Sequence, residues 1–152
     1  MTMNIYEALR QSHEIQRSLC RRLVRASPEG DKSEAVLREL RIELAAHAAS
    51  EERFLYAPIL MDDMGLNSSR HALAEHHDID ECVEDLYAAD YEGGSWHAKA
   101  KKLSHEVHHH LKEEETKFFQ VSGKILTDAQ KTQLAKKYLA DYERMKKKLA
   151  AQ

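Results

Sequence analysis

Displacing the 152-residue sequence by sixty-three positions lays His13 on His76, His47 on His110 and Glu51 on Glu114. Apolar positions coincide too: Leu23 with Leu86, Leu40 with Leu103, Leu44 with Val107, Leu55 with Phe118, and Tyr56 with Phe119. A repeat of this kind is one supersecondary unit used twice, and the helical spacing of its apolar positions makes the unit a helical hairpin. Two hairpins packed face to face form an up-down-up-down four-helix bundle, so the fold class is all-α. Five glycines and two prolines leave few turns in so long a chain.

Local signals set the expected helix limits. Asn4 with Glu7 makes a capping box, and Ile5, Leu9, His13, Leu19 and Leu23 trace one face until Ser27-Pro28-Glu29-Gly30 stops the helix. Asp31 with Glu34 opens the second helix, whose inner face reads Val36, Leu40, Leu44, His47, Glu51, Leu55. Pro58 lacks an amide donor and crowds the preceding turn, so it is expected to kink or end this helix near Ala57. The third helix begins around Ser68 or Ser69 and runs through His76, Ile79, Val83 and Leu86 to about Ala89, before a break at Gly93-Gly94. The fourth carries Leu103, Val107, His110, Glu114 and Phe118, with Gly123 as its expected C-terminal cap. Residues 1–125 thus make the bundle. Residues 126–152 have no counterpart in the repeat and read as an additional C-terminal helix. It has a Thr127/Gln130 capping box and an apolar stripe of Leu134, Tyr138, Tyr142, Met145 and Leu149. That stripe is expected to pack on the same domain, and a homodimer through this helix is the other use it could have.

Charge excludes one class of partner. The net charge is −3 with both signs interspersed, and the one basic cluster, Lys146 to Lys148, ends a mixed helix, so nucleic acid finds no electrostatic footprint. The N-terminal MTMNIYEALRQSHE has neither a basic region nor an apolar core of a leader, and no apolar run approaches membrane-spanning length. A cytoplasmic location is expected. Cys20 and Cys82, sixty-two apart on apolar faces, read as small core residues in a reducing compartment.

The chemistry lies in the His-x3-Glu pairs. Residues four apart on a helix sit one above the other, so His47 with Glu51 and His110 with Glu114 can each aim an imidazole nitrogen and a carboxylate oxygen at one point. These side chains continue apolar stripes, and ionisable groups are rarely buried unless paired or metal-bound. With His13 and His76 from the other two helices, the candidate metal ligands are His13, His47, Glu51, His76, His110 and Glu114. Four imidazoles and two carboxylates suit two ions better than one, and donors without thiolate favour iron, manganese or zinc. His76 is preferred to His77 because it matches His13 and precedes Ile79 and Val83 on one face. In His108-His109-His110 only His110 has Glu114 four residues on and Leu103 and Val107 behind it. His105, His108 and His109 are then solvated or in support, and His71 and His97 carry no metal argument. A rival pattern, His105-Glu106-Val107-His108-His109, satisfies the zinc-hydrolase His-Glu-x-x-His but leaves the repeat unexplained.

The order His13, His47-x3-Glu51, His76, His110-x3-Glu114, with a second glutamate after Glu51 and Glu114 and Phe54-Leu55-Tyr56-x-Pro58 ending the second helix, resembles the hemerythrin-like, HHE cation-binding domain. The likeness covers roughly residues 5 to 120. It implies two iron ions in a non-haem, oxo- or hydroxo-bridged di-iron centre, with Glu51 and Glu114 bridging and the histidines as terminal ligands. Around His76 the chain departs from the respiratory oxygen carriers, with Ala72 and Asp80 where those have a second histidine. The function this implies is binding, sensing or detoxifying a small oxidant, with dioxygen, nitric oxide or peroxide as the partner at iron. A metal- and oxygen-binding protein is favoured over a dedicated enzyme. The competing readings are an iron-storage or iron-sensing module and a peroxidase- or catalase-like di-iron enzyme.

Overall fold

The computed structural model describes residues 2–26, 31–89 and 94–152. Helix α1 (Ile5–Arg25) packs against α2 (Asp31–Glu51) and α5 (Ser95–Glu113), and α4 (Leu66–Ala88) packs against α5. These four make the expected bundle, and among the described residues there are no strands. Both expected capping boxes form: Asn4 with Glu7, and Thr127 with Gln130. The break expected at Ser27-Pro28-Glu29-Gly30, the side chain of Asp31 and Gly93 lie outside the described residues. Gly94 ends that second break at φ 79°, a left-handed conformation that costs glycine nothing.

Two helix ends differ from the local signals. The regular second helix gives way to a π turn just before Ala57, near the expected kink or end, but the chain stays helical beyond it. It continues as a π turn (Glu52–Tyr56) into a short α3 (Ala57–Leu60), with Pro58 in the first turn of that segment, where a missing amide costs least. Likewise α5 passes through a π turn (Glu114–Phe118) into α6 (Phe119–Ile125), so Gly123 lies inside a helix and Leu126 caps it through its N–H to the Ser122 carbonyl. An interior glycine costs about 1 kcal/mol. Burial of Phe119, Ser122 and Leu126 around Gly123 overrides it. Gly65, just before α4, is required for space: a Cβ there would fall on the side chain and carbonyl of Ile59.

The core has two apolar clusters. One holds Leu19, Leu23, Val36, Leu40, Leu44, Ile79, Val83, Leu86, Trp96, Leu103 and Val107, together with Cys20 and Cys82, which are free and buried. The other holds Ile5, Leu9, Leu55, Tyr56, Ile59, Phe118, Phe119, Tyr138 and Tyr142. On every bundle helix the expected ligand histidine falls between residues of the first cluster and residues of the second, so one polar layer separates them. The C-terminal helix α7 (Asp128–Ala150) lies on α1 and α2 with Tyr138 and Tyr142 buried, covering its own bundle. No helix among the described residues is long and apolar enough to cross a membrane.

Candidate metal centre

The polar layer gathers His13 from α1, His47 and Glu51 from α2, His76 from α4, His110 from α5 and Glu114 from the second π turn, none more than 5% exposed. Donor atoms of His13, His47, Glu51 and Glu114 all lie within 4.8 Å of one another, and so do those of Glu51, His76, His110 and Glu114. Both carboxylates belong to both sets. His13, His47 and His76 each bring Nε2 to 3.2 Å from a carboxylate oxygen, of Glu114 in the first case and Glu51 in the other two; His110 Nε2 lies 3.5 Å from Glu114. Nevertheless Nε2 of His13, His47 and His110, both oxygens of Glu51 and Oε1 of Glu114 are buried without a hydrogen-bond partner. Close polar atoms that do not hydrogen-bond are aimed past one another at a shared centre. Leaving such groups unsatisfied costs about 1–3 kcal/mol each. Each set thus converges to within 4.8 Å, close to the ~4.2 Å that separates opposite donors about 2.1 Å from one first-row ion, and the two sets fit one cation each.

The other nitrogen of each ring is held from behind. His13 Nδ1 lies 2.7 Å from Glu115, His76 Nδ1 2.8 Å from Glu52, His110 Nδ1 3.0 Å from Glu75, and His47 Nδ1 2.9 Å from the Tyr138 hydroxyl. A hydrogen-bonded Nδ1–H fixes the tautomer that leaves the Nε2 lone pair free for a metal, and a carboxylate there makes the ring a better donor. Glu52 and Glu115 are repeat partners, and each crosses to the other hairpin to hold its histidine.

Electrostatics show what the layer does without cations. Burial disfavours a charged His13 ring, but its contacts with Glu114 and Glu115 outweigh this and raise its pKa to about 9. His76 is likewise opposed by burial, yet Glu51 and Glu52 raise it to about 10. Burial pushes Glu51 up, while His47 and His76 bring it well below the ordinary carboxylate value. Both rings are thus held towards their charged form by the carboxylates that they face. Burial and the charges of Glu114 and Glu51 keep the Tyr56 phenol protonated, and it donates to Glu114 with His76 Nε2 3.3 Å away.

All six residues come together; His76 is buried among them, whereas the His77 side chain is 72% exposed and pairs with Glu81. Among the described residues His105 and Glu106 join no converging group, and the exposed rings of His105 and His109 stack instead. Tyr56 and Tyr138 escape the spacing argument. A π turn inserts one residue, so Tyr56 follows Leu55 inward and Phe119 follows Phe118. Tyr138 comes from α7, outside the repeat. His71, with no metal argument of its own, converges with Glu75 and Glu113. Its signal was another His-x3-Glu spacing.

The family model described as hemerythrin HHE cation-binding domain matches residues 4–121. The chain belongs to that family. A crystal structure of a hemerythrin HHE cation-binding domain-containing protein from Mycobacterium kansasii superposes with a TM-score of 0.85 at 24% identity, covering 96% of this chain and 89% of that one. At that identity the likeness is one of fold. No functionally curated protein matches this HHE domain significantly. Family and buried clusters together make the chain a hemerythrin-like, metal-binding domain.

Proposed function

We propose that His13, His47, Glu51, His76, His110 and Glu114 would hold two iron ions, with Glu51 and Glu114 available to both, and that the loaded protein serves to bind, sense or detoxify a small oxidant. The observation that carries this is the sharing of both carboxylates between two four-donor sets. A single ion would leave two of the four imidazoles unused. When bound, the irons supply electrons and an exchangeable position for dioxygen, nitric oxide or peroxide. The protein fixes each imidazole through Nδ1, confines the layer between two apolar clusters, and presents the Tyr56 O–H as a proton donor beside His76 and Glu114. Two buried free cysteines accord with a reducing, intracellular compartment.

Anaerobic loading of metal-free protein with ferrous iron tests this. Two irons per chain, and near-ultraviolet charge-transfer bands on exposure to one of the three oxidants, are expected. Binding of a single iron, or two irons indifferent to all three oxidants, would overturn the reading. Sustained peroxide consumption would instead assign a catalase-like enzyme, and iron bound without redox response a storage or sensing module.

A further inference from the structure

His71 with Glu75 on α4 and His109 with Glu113 on α5 repeat, at the bundle surface, the His-x3-Glu arrangement of the buried layer. Packing of α4 on α5 brings donors of His71, Glu75 and Glu113 within 4.8 Å of one another and sets His109 against the other oxygen of each carboxylate. His71 Nε2 lies 3.0 Å from Glu113 Oε1 and 3.6 Å from Glu75 Oε1; His109 Nε2 lies 3.1 Å from Glu113 Oε2 and 3.7 Å from Glu75 Oε2. Each carboxylate therefore turns one oxygen to each ring, and both rings offer the same nitrogen. The rings are 58% exposed and the carboxylates 17% and 23%, so an ion there would keep part of its water. Exposed His–Glu pairs alone would be ordinary surface contacts.

A second observation lifts them above that. A cavity of about 240 Å³ is lined by His71, Glu75 and Glu113 and also by His110 and Glu114. The last two are nearly fully buried, and His110 Nε2 and Glu114 Oε1 lack hydrogen-bond partners. Glu75 belongs to both places, since its Oε1 also holds His110 Nδ1 at 3.0 Å. The cavity thus runs from the half-exposed His71 ring and the Glu75 and Glu113 carboxylates to His110 and Glu114 of the buried layer, and His109 stands beside it on the same two carboxylates.

We propose that His71, Glu75, His109 and Glu113 form an outer site for a divalent first-row cation, and that ions reach the buried layer through it. The two carboxylates balance the cation's charge, and the two imidazoles favour iron, manganese, cobalt or zinc over magnesium and calcium. Partial exposure lets an ion exchange water for protein donors in stages, which avoids stripping its whole hydration shell at once. The loading role rests on the buried layer being a metal site, as proposed above.

Cobalt(II) titration of the metal-free full chain, followed by visible absorption and equilibrium dialysis, tests both parts. Wild type should bind three equivalents, two tight and one at least tenfold weaker. The double variant His71→Gln/His109→Gln, whose rings are exposed and whose melting curve should match wild type, should lose only the weak equivalent. Stopped-flow loading of its buried site should slow at least tenfold while final occupancy stays at two. His47→Ala should retain the weak equivalent. Absence of that equivalent from wild type, or its survival in the double variant, overturns the outer site. Its loss with an unchanged loading rate overturns the loading role. A weak equivalent with no tight ones would leave the outer site standing and sink the buried one.

Discussion

His13 and His47 on one side of the shared carboxylates, and His76 and His110 on the other, are related by the repeat yet are backed differently. The crossed pairs match: Glu115 holds His13 and Glu52 holds His76. The remaining two do not. His110 rests on the Glu75 carboxylate, whereas the position equivalent to Glu75 is Ser12, which donates instead to buried Glu43 at 2.6 Å. His47 takes the Tyr138 phenol of α7, beyond which Tyr142 donates to Glu43 at 2.7 Å. The Tyr56 phenol faces His76, whereas its repeat partner Phe119 stacks on His13 with ring centroids 6.0 Å apart. Donor identity is thus two-fold while the surroundings are not. One half is closed by α7 and has a carboxylate behind one ring and a phenol behind the other; the second half has carboxylates behind both rings, the Tyr56 hydroxyl and a cavity leading outward. Exchangeable ligands are expected in the second half.

The comparison breaks most visibly if the halves cannot be emptied separately. Glu114→Ala or Glu51→Ala removes a donor from both sets and should reduce iron to near zero per chain. His47→Ala removes a donor from one set only and should leave about one, given the sharing seen in the donor groups. Iron analysis after anaerobic loading distinguishes these outcomes. Equal and complete loss in His47→Ala would mean that the layer fills as a single cooperative unit.

Replacing the groups behind the rings sharpens the contrast at lower cost. Glu75→Gln should weaken metal binding by about 10–100-fold, the usual penalty for losing a carboxylate behind a ligand histidine. Tyr138→Phe removes a neutral hydrogen bond and should weaken the His47 side less, with about 1 kcal/mol lost in stability. Competition with a chelator measures both affinities. A larger effect from Tyr138→Phe would contradict the view that a carboxylate behind the ring makes the better donor.

A third effect depends on pH. In the metal-free protein the His13 and His76 rings titrate near 9 and 10, above the 6.5 of a free imidazole. Groups raised in the folded state stabilise it fully below the unfolded value, and that contribution is lost as pH rises through the folded one. The metal-free melting temperature should therefore fall between pH 6.5 and 10. Bound cations displace those two protons, so the loaded form escapes the fall and the gap between the two forms widens with pH. Loading at pH 7 should release about two protons per chain. Glu51, held low, works in the opposite sense, and its contribution is lost as pH falls below about 4.5. Melting curves of both forms across pH 5 to 10 provide the check, and parallel curves would contradict the charge state described for the empty layer.

What the sequence makes legible follows from what periodicity measures. Burial acts at every helical turn, so the stripes through Leu40, Leu44 and His47, and through Leu103, Val107 and His110, mark the bundle and the six converging residues together. A π turn leaves no such mark, because a 3.6-residue spacing assumes the regularity that the extra residue before Tyr56 and Phe119 breaks. Gly123 carries a local propensity that packing overrides, whereas Pro58 keeps its own by standing in the first turn of the segment that follows the π turn. The stripe on α7 is readable, but the bond from Tyr138 to His47 spans ninety-one residues that no spacing rule connects.

The smallest effects are expected from histidines that share the spacing but not the placement. His77 stands four residues before Glu81, as His47 stands before Glu51, yet both His77 and Glu81 are largely exposed and pair with each other at 2.9 Å. His105 lies on the solvent face, and the His108 Nδ1 is taken up by the Ser104 carbonyl at 2.8 Å on its own helix. Alanine at any of these three should leave iron at two per chain and change stability by no more than about 0.5 kcal/mol, as surface substitutions do. The result separates two explanations of the buried layer. If spacing alone made a ligand, His77→Ala would cost an ion, and if the His-Glu-x-x-His pattern did, His105→Ala would. Metal retained in both variants and lost in His47→Ala would trace binding to position within the core, between the two apolar clusters, where a carboxylate and an imidazole have no solvent to satisfy them.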